Sequence, residues 1–140
     1  MKTLVNILHE GSHSLVVGGD TVSTYDGRGV SDLYMLSHEK PALLQGAAIA
    51  DKVVGKGAAA LMVWAGVGEV YADVISRPAL DLLEDNGIPV AYATLVPHII
   101  NRAGTGMCPL ETWCMPCSTL EECIEQIEAF VREMNEKKNR

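Results

Sequence analysis

Aromatic side chains are scarce. One Phe, two Trp and four Tyr make up 5% of the chain, so a core must be assembled from Val, Ile, Leu, Ala and Met. Basic charge is also short: eleven Lys and Arg stand against eighteen Asp and Glu, for a formal net charge of −7. That balance argues against general binding to nucleic acid or an anionic membrane, where a basic face supplies most of the affinity. No apolar run reaches the ~18 residues that cross a bilayer. Asp51, Lys52, Lys56, Glu69 and Asp73 interrupt the most hydrophobic stretch. The opening MKTLVNILHEG regains charge at His9 and Glu10 and shows no small-residue cleavage site, so we read no secretory signal and expect a cytoplasmic protein. The four histidines (His9, His13, His38, His98) have no metal-type spacing, and there is no phosphate-binding loop and no Ser-His-Asp signature.

What is present suits one compact domain spanning residues 1–140, with 48% hydrophobic residues. Leu4, Ile7 and Leu8 have helical spacing, with Gly11 as a stop. HSLVV (13–17) and TVSTY (21–25) flank Gly18-Gly19-Asp20 and predict a β-hairpin. Ser31 is placed to cap a helix over 32–39. GAAIADKVVGKGAAALMVWAG (46–66), rich in Ala, Leu, Met and Lys, predicts one long buried helix, in which Gly55 and Gly57 mark close approach to a neighbour. A strand over 69–76, a helix over 76–87 capped by Ser76 and ended by Gly87, and a strand over 88–95 follow. Residues 96–117 read as irregular, and a helix capped by Ser118 or Thr119 closes the chain. The order predicts an α/β protein: a three-layer α/β/α mixed sheet, with an N-terminal hairpin followed by αβαβ and a cysteine-rich loop and helix at 108–140.

GAAIADKVVGKGAAAL, GVGEVYADVIS, GIPVAY and VPHIINRAGTGMCPLE together resemble an uncharacterised bacterial domain-of-unknown-function family placed in the cytidine deaminase-like superfamily. The resemblance runs to about Glu111 and implies the deaminase-like arrangement of sheet and helices. Zinc deaminases need H/C-x-E at one helix start and P-C-x-x-C at the next. Here the corresponding starts read Ile49-Ala50-Asp51-Lys52 and Ser76-Arg77-Pro78-Ala79, without a ligand. We therefore expect no conventional zinc-dependent deamination, and no cofactor is implied.

The candidate site residues are of three kinds. Asp51 and Lys52, read as lying near a helix N-terminus with Lys56 one turn on, form a carboxylate–amine set able to move a proton or bind a polar ligand; the same charges could simply solubilise a helix end. The loop Asn101–Glu111 offers Arg102, Gly104 and Gly106 as anion contacts, Cys108 as a nucleophile and Glu111 three residues beyond it, while Arg28 between two glycines is a further anion contact. The cysteines at 108, 114, 117 and 123 have C-x5-C-x2-C-x5-C spacing, which could hold zinc, exchange disulfides or merely pack. Asp51, Lys52 and Cys108 are the expected catalytic groups; Arg28, Lys56, Arg102, Gly104, Gly106 and Glu111 the ligand contacts; no metal ligands are assigned. The function expected is binding of a small polar or nucleotide-like metabolite. The alternative is a non-catalytic interaction module using the cysteine-rich segment. The apolar glycine-bearing helix could also support a homo-oligomer.

Overall fold

The computed structural model describes residues 1–27, 30–100 and 109–138. Its elements run α1 (Lys2–Glu10), β1 (Leu15–Gly18), β2 (Val22–Tyr25), α2 (Ser31–Glu39), α3 (Pro41–Leu44), β3 (Ala48–Val54), α4 (Lys56–Ala65), β4 (Glu69–Ser76), α5 (Arg77–Asp85), β5 (Val90–Val96), α6 (Pro109–Cys114) and α7 (Leu120–Lys138). The five strands form one mixed sheet in the order β2-β1-β3-β4-β5. β1 pairs antiparallel with β2 and β3, whereas β3, β4 and β5 are parallel. Parallel neighbours need long crossovers, and α4 and α5 supply them.

The long helix expected over 46–66 is absent. Its first part is the central strand β3, and only Lys56–Ala65 is helical. Ala-rich composition favours a helix locally, but β3 lies between β1 and β4 and gains ladder hydrogen bonds on both edges, a tertiary gain that outweighs propensity. Two further details depart from the sequence reading. A short α6 occupies part of the stretch read as irregular, and α2 has Val30 at its N-cap, with Ser31 as its first helical residue.

Alternation along the strands separates two cores. Val16 and Ala50 face α1, packing on Leu4 and Leu8. Leu15, Val17, Ile49, Val70 and Ala72 face the larger core, which α2, α4, α5, α6 and α7 complete with Leu36, Leu61, Leu83, Cys114 and Ile127. α4 is the centre of that layer, and Ala58 through Met62 are all buried. Gly66 ends it in the left-handed region at φ 76°, where a side chain would be strained. Ser76 caps α5 by accepting from the Ala79 N–H at 3.4 Å, as its position suggested. α7 begins at a reciprocal cap: Thr119 Oγ1 accepts from Glu122 N–H at 3.2 Å, and Glu122 Oε2 accepts from Ser118 N–H at 2.8 Å. No helix among the described residues is long and apolar enough to cross a membrane.

Candidate functional site

The C-terminal ends of β3, β4 and β5 converge on the start of α4. In open α/β sheets this edge is where ligands gather, because helix N-termini and strand-end loops meet there. The strand-to-helix break falls at Gly55. Its missing side chain is required by packing rather than by φ: a Cβ there would meet Glu111 Oε2 and come within 3.2 Å of Ile99 Cγ1. Gly57 is equally committed, since its Cβ would come within 2.7 Å of Leu110 Cδ2. Both glycines thus have the close neighbours anticipated for them, although those neighbours belong to α6 and to the segment after β5.

Glu111 projects from α6 into this gap and is 2% exposed. Its Oε2 accepts the backbone N–H of Lys56 at 2.7 Å, across 55 positions of sequence. The carboxylate therefore caps α4 from outside, a charge-assisted bond at the positive end of the helix dipole. Its other oxygen, Oε1, is buried without a hydrogen-bond partner. The same is true of His98 Nδ1, two residues beyond the end of β5 and next to the Ile99 that packs on Gly55. These are the two buried side-chain polar atoms lacking a partner among the described residues. A buried acceptor left unpaired costs about 1–3 kcal/mol, so such a pair at one edge of the sheet calls for an explanation.

The amine of Lys56 leaves this point in another direction. Nζ donates to Met115 O at 3.2 Å and to Cys117 O at 2.8 Å, placing the cation at the carbonyl-rich end of α6. Around it lie three free cysteines. Cys114 and Cys123 are buried and Cys117 is partly exposed, its Sγ donating to Trp113 O at 3.9 Å. The neighbouring Cys114 thiol, helped by the Lys56 charge, lowers the Cys123 thiol to about 6. Cys114 is raised, chiefly by Cys123 and then by burial. Cys117 is pushed up to about 11 by burial and by the neighbouring Cys123 charge. No group of three or more His, Cys, Asp or Glu among the described residues is arranged to hold a metal ion.

Asp51 and Lys52 lie on β3, not at a helix start, and successive strand residues point to opposite faces. The proposed one-turn pairing of Lys52 with Lys56 is therefore absent, because Val54 ends the strand and Gly55 turns the chain between them. Asp51 pairs in register with Leu15 and Ala72, and its Oδ1 accepts from Val53 N–H at 3.3 Å. Burial pushes its carboxyl up to about 7, against the lowering effect of the Val53 and Lys52 backbone bonds, and the Asp73 charge adds a small further rise. Asp73 itself receives Tyr71 OH at 2.7 Å and meets His9 Nε2 at 2.7 Å. Tyr71 is raised in consequence, mainly by its bond to Asp73. Arg28, Arg102, Gly104, Gly106 and Cys108 lie outside the described residues.

Of the sequence candidates, the structure brings Lys56 and Glu111 into direct contact and sets Asp51 and Lys52 apart on the sheet. His98, after a strand and before the Arg102 loop, was readable either as an acid or base for a site or as a plain loop histidine; the packing of its neighbour Ile99 on Gly55 joins two distant segments. The turn between α6 and α7 sets Cys114, Cys117 and Cys123 on the same core. Gly55→Ala is expected to destabilise the fold by about 2–3 kcal/mol, because its Cβ would displace the buried Glu111 oxygen that caps α4. Urea unfolding of the variant and the parent, with unchanged slope, measures it.

The chain matches the family described as Domain of unknown function (DUF1893), TM1506, over residues 3–131. It is similar to the crystal structure of a DUF1893 family protein (TM1506) from Thermotoga maritima, with 26% sequence identity and a TM-score of 0.85 over 91% of this chain and 87% of that one. No curated protein matches it.

Proposed function

We propose, from the premise that this chain belongs to the DUF1893 family, that it binds a small polar molecule at the N-terminus of α4 and presents Glu111 to it. One observation carries the reading: a carboxylate 2% exposed, spending one oxygen on the helix and leaving the other without a donor. The helix terminus already has its internal anion, so what the site lacks is a hydrogen-bond donor. A ligand bearing N–H groups in a plane meets that need. The amino edge of a nucleobase is such a group, and carboxylates accept from it. His98 Nδ1, one residue before the Ile99 that packs on Gly55, is the other buried side-chain polar atom without a partner among the described residues. A nucleoside or base suits this site better than a nucleotide, since a phosphate would face a carboxylate.

The architecture, a hairpin followed by parallel strands with helical crossovers, supports the deaminase-like reading of the fold. The chemistry departs from that group. The helix starts that follow strands read Gly55-Lys56-Gly57 and Ser76-Arg77-Pro78, with no His or Cys, and Glu111 fills the first of them. A deaminase zinc does not fit these residues, and no step is assigned to one. Three free thiols suit a reducing, cytoplasmic setting. The alternative, a non-catalytic interaction module using the cysteine-rich segment, draws less support, because Cys114 and Cys123 of that segment are buried in the main core.

Calorimetric titration with cytidine and with guanosine tests the reading. Binding of either to the parent protein, weakened roughly tenfold or more in Glu111→Gln, is the expected result, equivalent to the ~1.4 kcal/mol or more of a charge-assisted bond. Gln preserves the shape and can still accept from Lys56 N–H, so a melting curve close to the parent's verifies the fold. Absence of binding at millimolar concentration of both probes, or equal affinity in Glu111→Gln, overturns it.

A further inference from the structure

The two edges of the sheet are unlike. β2 closes one side with four residues, Asp20 shortly before it and Asp26 directly after it, the short and charged kind of edge that resists pairing. β5 closes the other side, and its outer backbone edge is unpaired among the described residues. Its seven residues, VAYATLV, include no charge, no Gly and no Pro. Ala91, Tyr92, Ala93 and Thr94 are all exposed. Successive strand residues point to opposite faces, so four exposed in a row leave both faces open as well as the edge. Strands in parallel pairs are normally covered on both faces. Here α1 packs on β1 and β3, and α5 on β4 and β5. A row of unpaired N–H and C=O groups specifies its own cover, which is another extended strand.

We propose that β5 pairs antiparallel with β5 of a second copy of this chain, joining the two sheets into one across a two-fold axis. The edge is self-complementary. Full overlap of Val90–Val96 centres the axis on Ala93 and sets Val90 opposite Val96, Ala91 opposite Leu95 and Tyr92 opposite Thr94. These are apolar, β-branched and aromatic–Thr pairs, which are favourable across strands, and a small side chain faces itself at the axis. Charge favours the same contact. Each copy carries −7, so two copies repel, yet residues 86–101 hold no Asp, Glu, Lys or Arg, the longest such run in the chain. Two copies therefore approach at least electrostatic cost along β5. The glycine-bearing helix expected to support an oligomer is spent on the core, because Ala58 through Met62 are buried. A strand pair of this length covers less than the ~800 Å² per partner of a standard interface, so the dimer is weak, with a Kd of about 10–100 μM. Antiparallel pairing also sends the C-terminal ends of the two β5 strands to opposite ends of the joint sheet. The dimer thus stands or falls separately from the ligand reading at α4.

Analytical ultracentrifugation of the full chain from about 1 to about 500 μM tests the proposal, and the mass is expected to rise from 15.1 kDa toward twice that value. Ala93→Lys and Ala93→Glu each set like charges against one another at the axis, and each variant alone is expected to stay monomeric over that range. An equimolar mixture of the two is expected to regain the dimer, because Lys then faces Glu. Ala93 is exposed, and melting curves establish that each variant is folded. Hydrogen exchange of the parent needs no variant: the outward-facing amides of Val90–Val96 are expected to exchange roughly three- to tenfold more slowly at the top of the range than at the bottom. A parent that stays monomeric throughout, variants that dimerise as the parent does, a mixture that stays monomeric, or β5 amides indifferent to concentration would each overturn the proposal. A monomeric parent that binds an added extended peptide along β5 would assign the edge to a different partner and overturn it equally.

Discussion

Glu111→Ala is expected to lower the melting temperature by about 10 °C, corresponding to ~3 kcal/mol in a chain of this size. Three losses combine. The N–H of Lys56 loses its acceptor at 2.7 Å, the start of α4 loses its compensating negative charge, and a buried side chain leaves a void beside Gly55 and Ile99. Relief of the unpaired Oε1 offsets only part of this. Glu111→Gln separates the causes, because it keeps the volume and can retain the bond to Lys56 while removing the charge. Its loss is expected to be about 1 kcal/mol. Parallel thermal and urea unfolding of the two variants measures both; equal losses would show that the carboxylate charge, rather than shape and hydrogen bonding, stabilises the helix start.

Asp51→Asn is expected to act in the opposite direction, by an amount that grows as pH rises from about 4 and is full above about 7. In the unfolded chain this carboxyl has its ordinary value of 3.8, whereas the folded protein holds it at about 7 through burial. Between these values the folded state keeps a proton that the unfolded state has released. Stability therefore falls as pH rises from about 4 to about 7, and the full penalty remains above that. Asn cannot ionise, and its amide oxygen can still accept from Val53 N–H. The residue keeps partial solvent contact, so we discount the full shift and expect Asn to stabilise by about 1–2 kcal/mol at pH 8, or roughly 3–6 °C. At pH 4 the two proteins should melt within about a degree of each other. Melting curves across pH 4–8 follow the effect, and a gap that does not change with pH would place the Asp51 carboxyl in ordinary solvent.

The elements that proved legible from sequence were those in which local and tertiary preferences agree. The hairpin has β-branched residues around Gly18-Gly19-Asp20, α5 has Ser76 and Gly87 at its ends, and α7 has its Thr119 cap. Residues 46–66 conceal the break because Ala is common on both sides of it. Ile49, Val53 and Val54 marked the strand, and Gly55 its end, but the ladder partners that made the strand worthwhile were more than twenty positions away on each side. The site was legible as a set of residue types rather than as a place. Lys56 and Glu111 were both candidates, yet nothing in spacing could show that one caps the backbone of the other. Asp51 drew attention for a helix end it does not occupy, and its raised carboxyl arises from burial in the sheet. Cys123 read as a packing residue from its helical neighbours Ile124 and Ile127. It does pack, in the same core that Cys117 lies against.

The cap on α4 also has a consequence for synthesis of the chain. The ribosome makes Lys56 first and Glu111 fifty-five residues later, an interval of roughly 3–11 s at ordinary elongation rates. During that time β4 and β5 are made, completing the sheet, while the helix at its centre waits, its leading N–H groups open to water. The last quarter of the chain then supplies the missing carboxylate along with Leu110, Cys114, Ile124 and Ile127 for the same core. Folding of the N-terminal part is thus provisional until the C-terminus emerges, and a stalled or prematurely ended chain leaves the ribosome with its central helix uncapped.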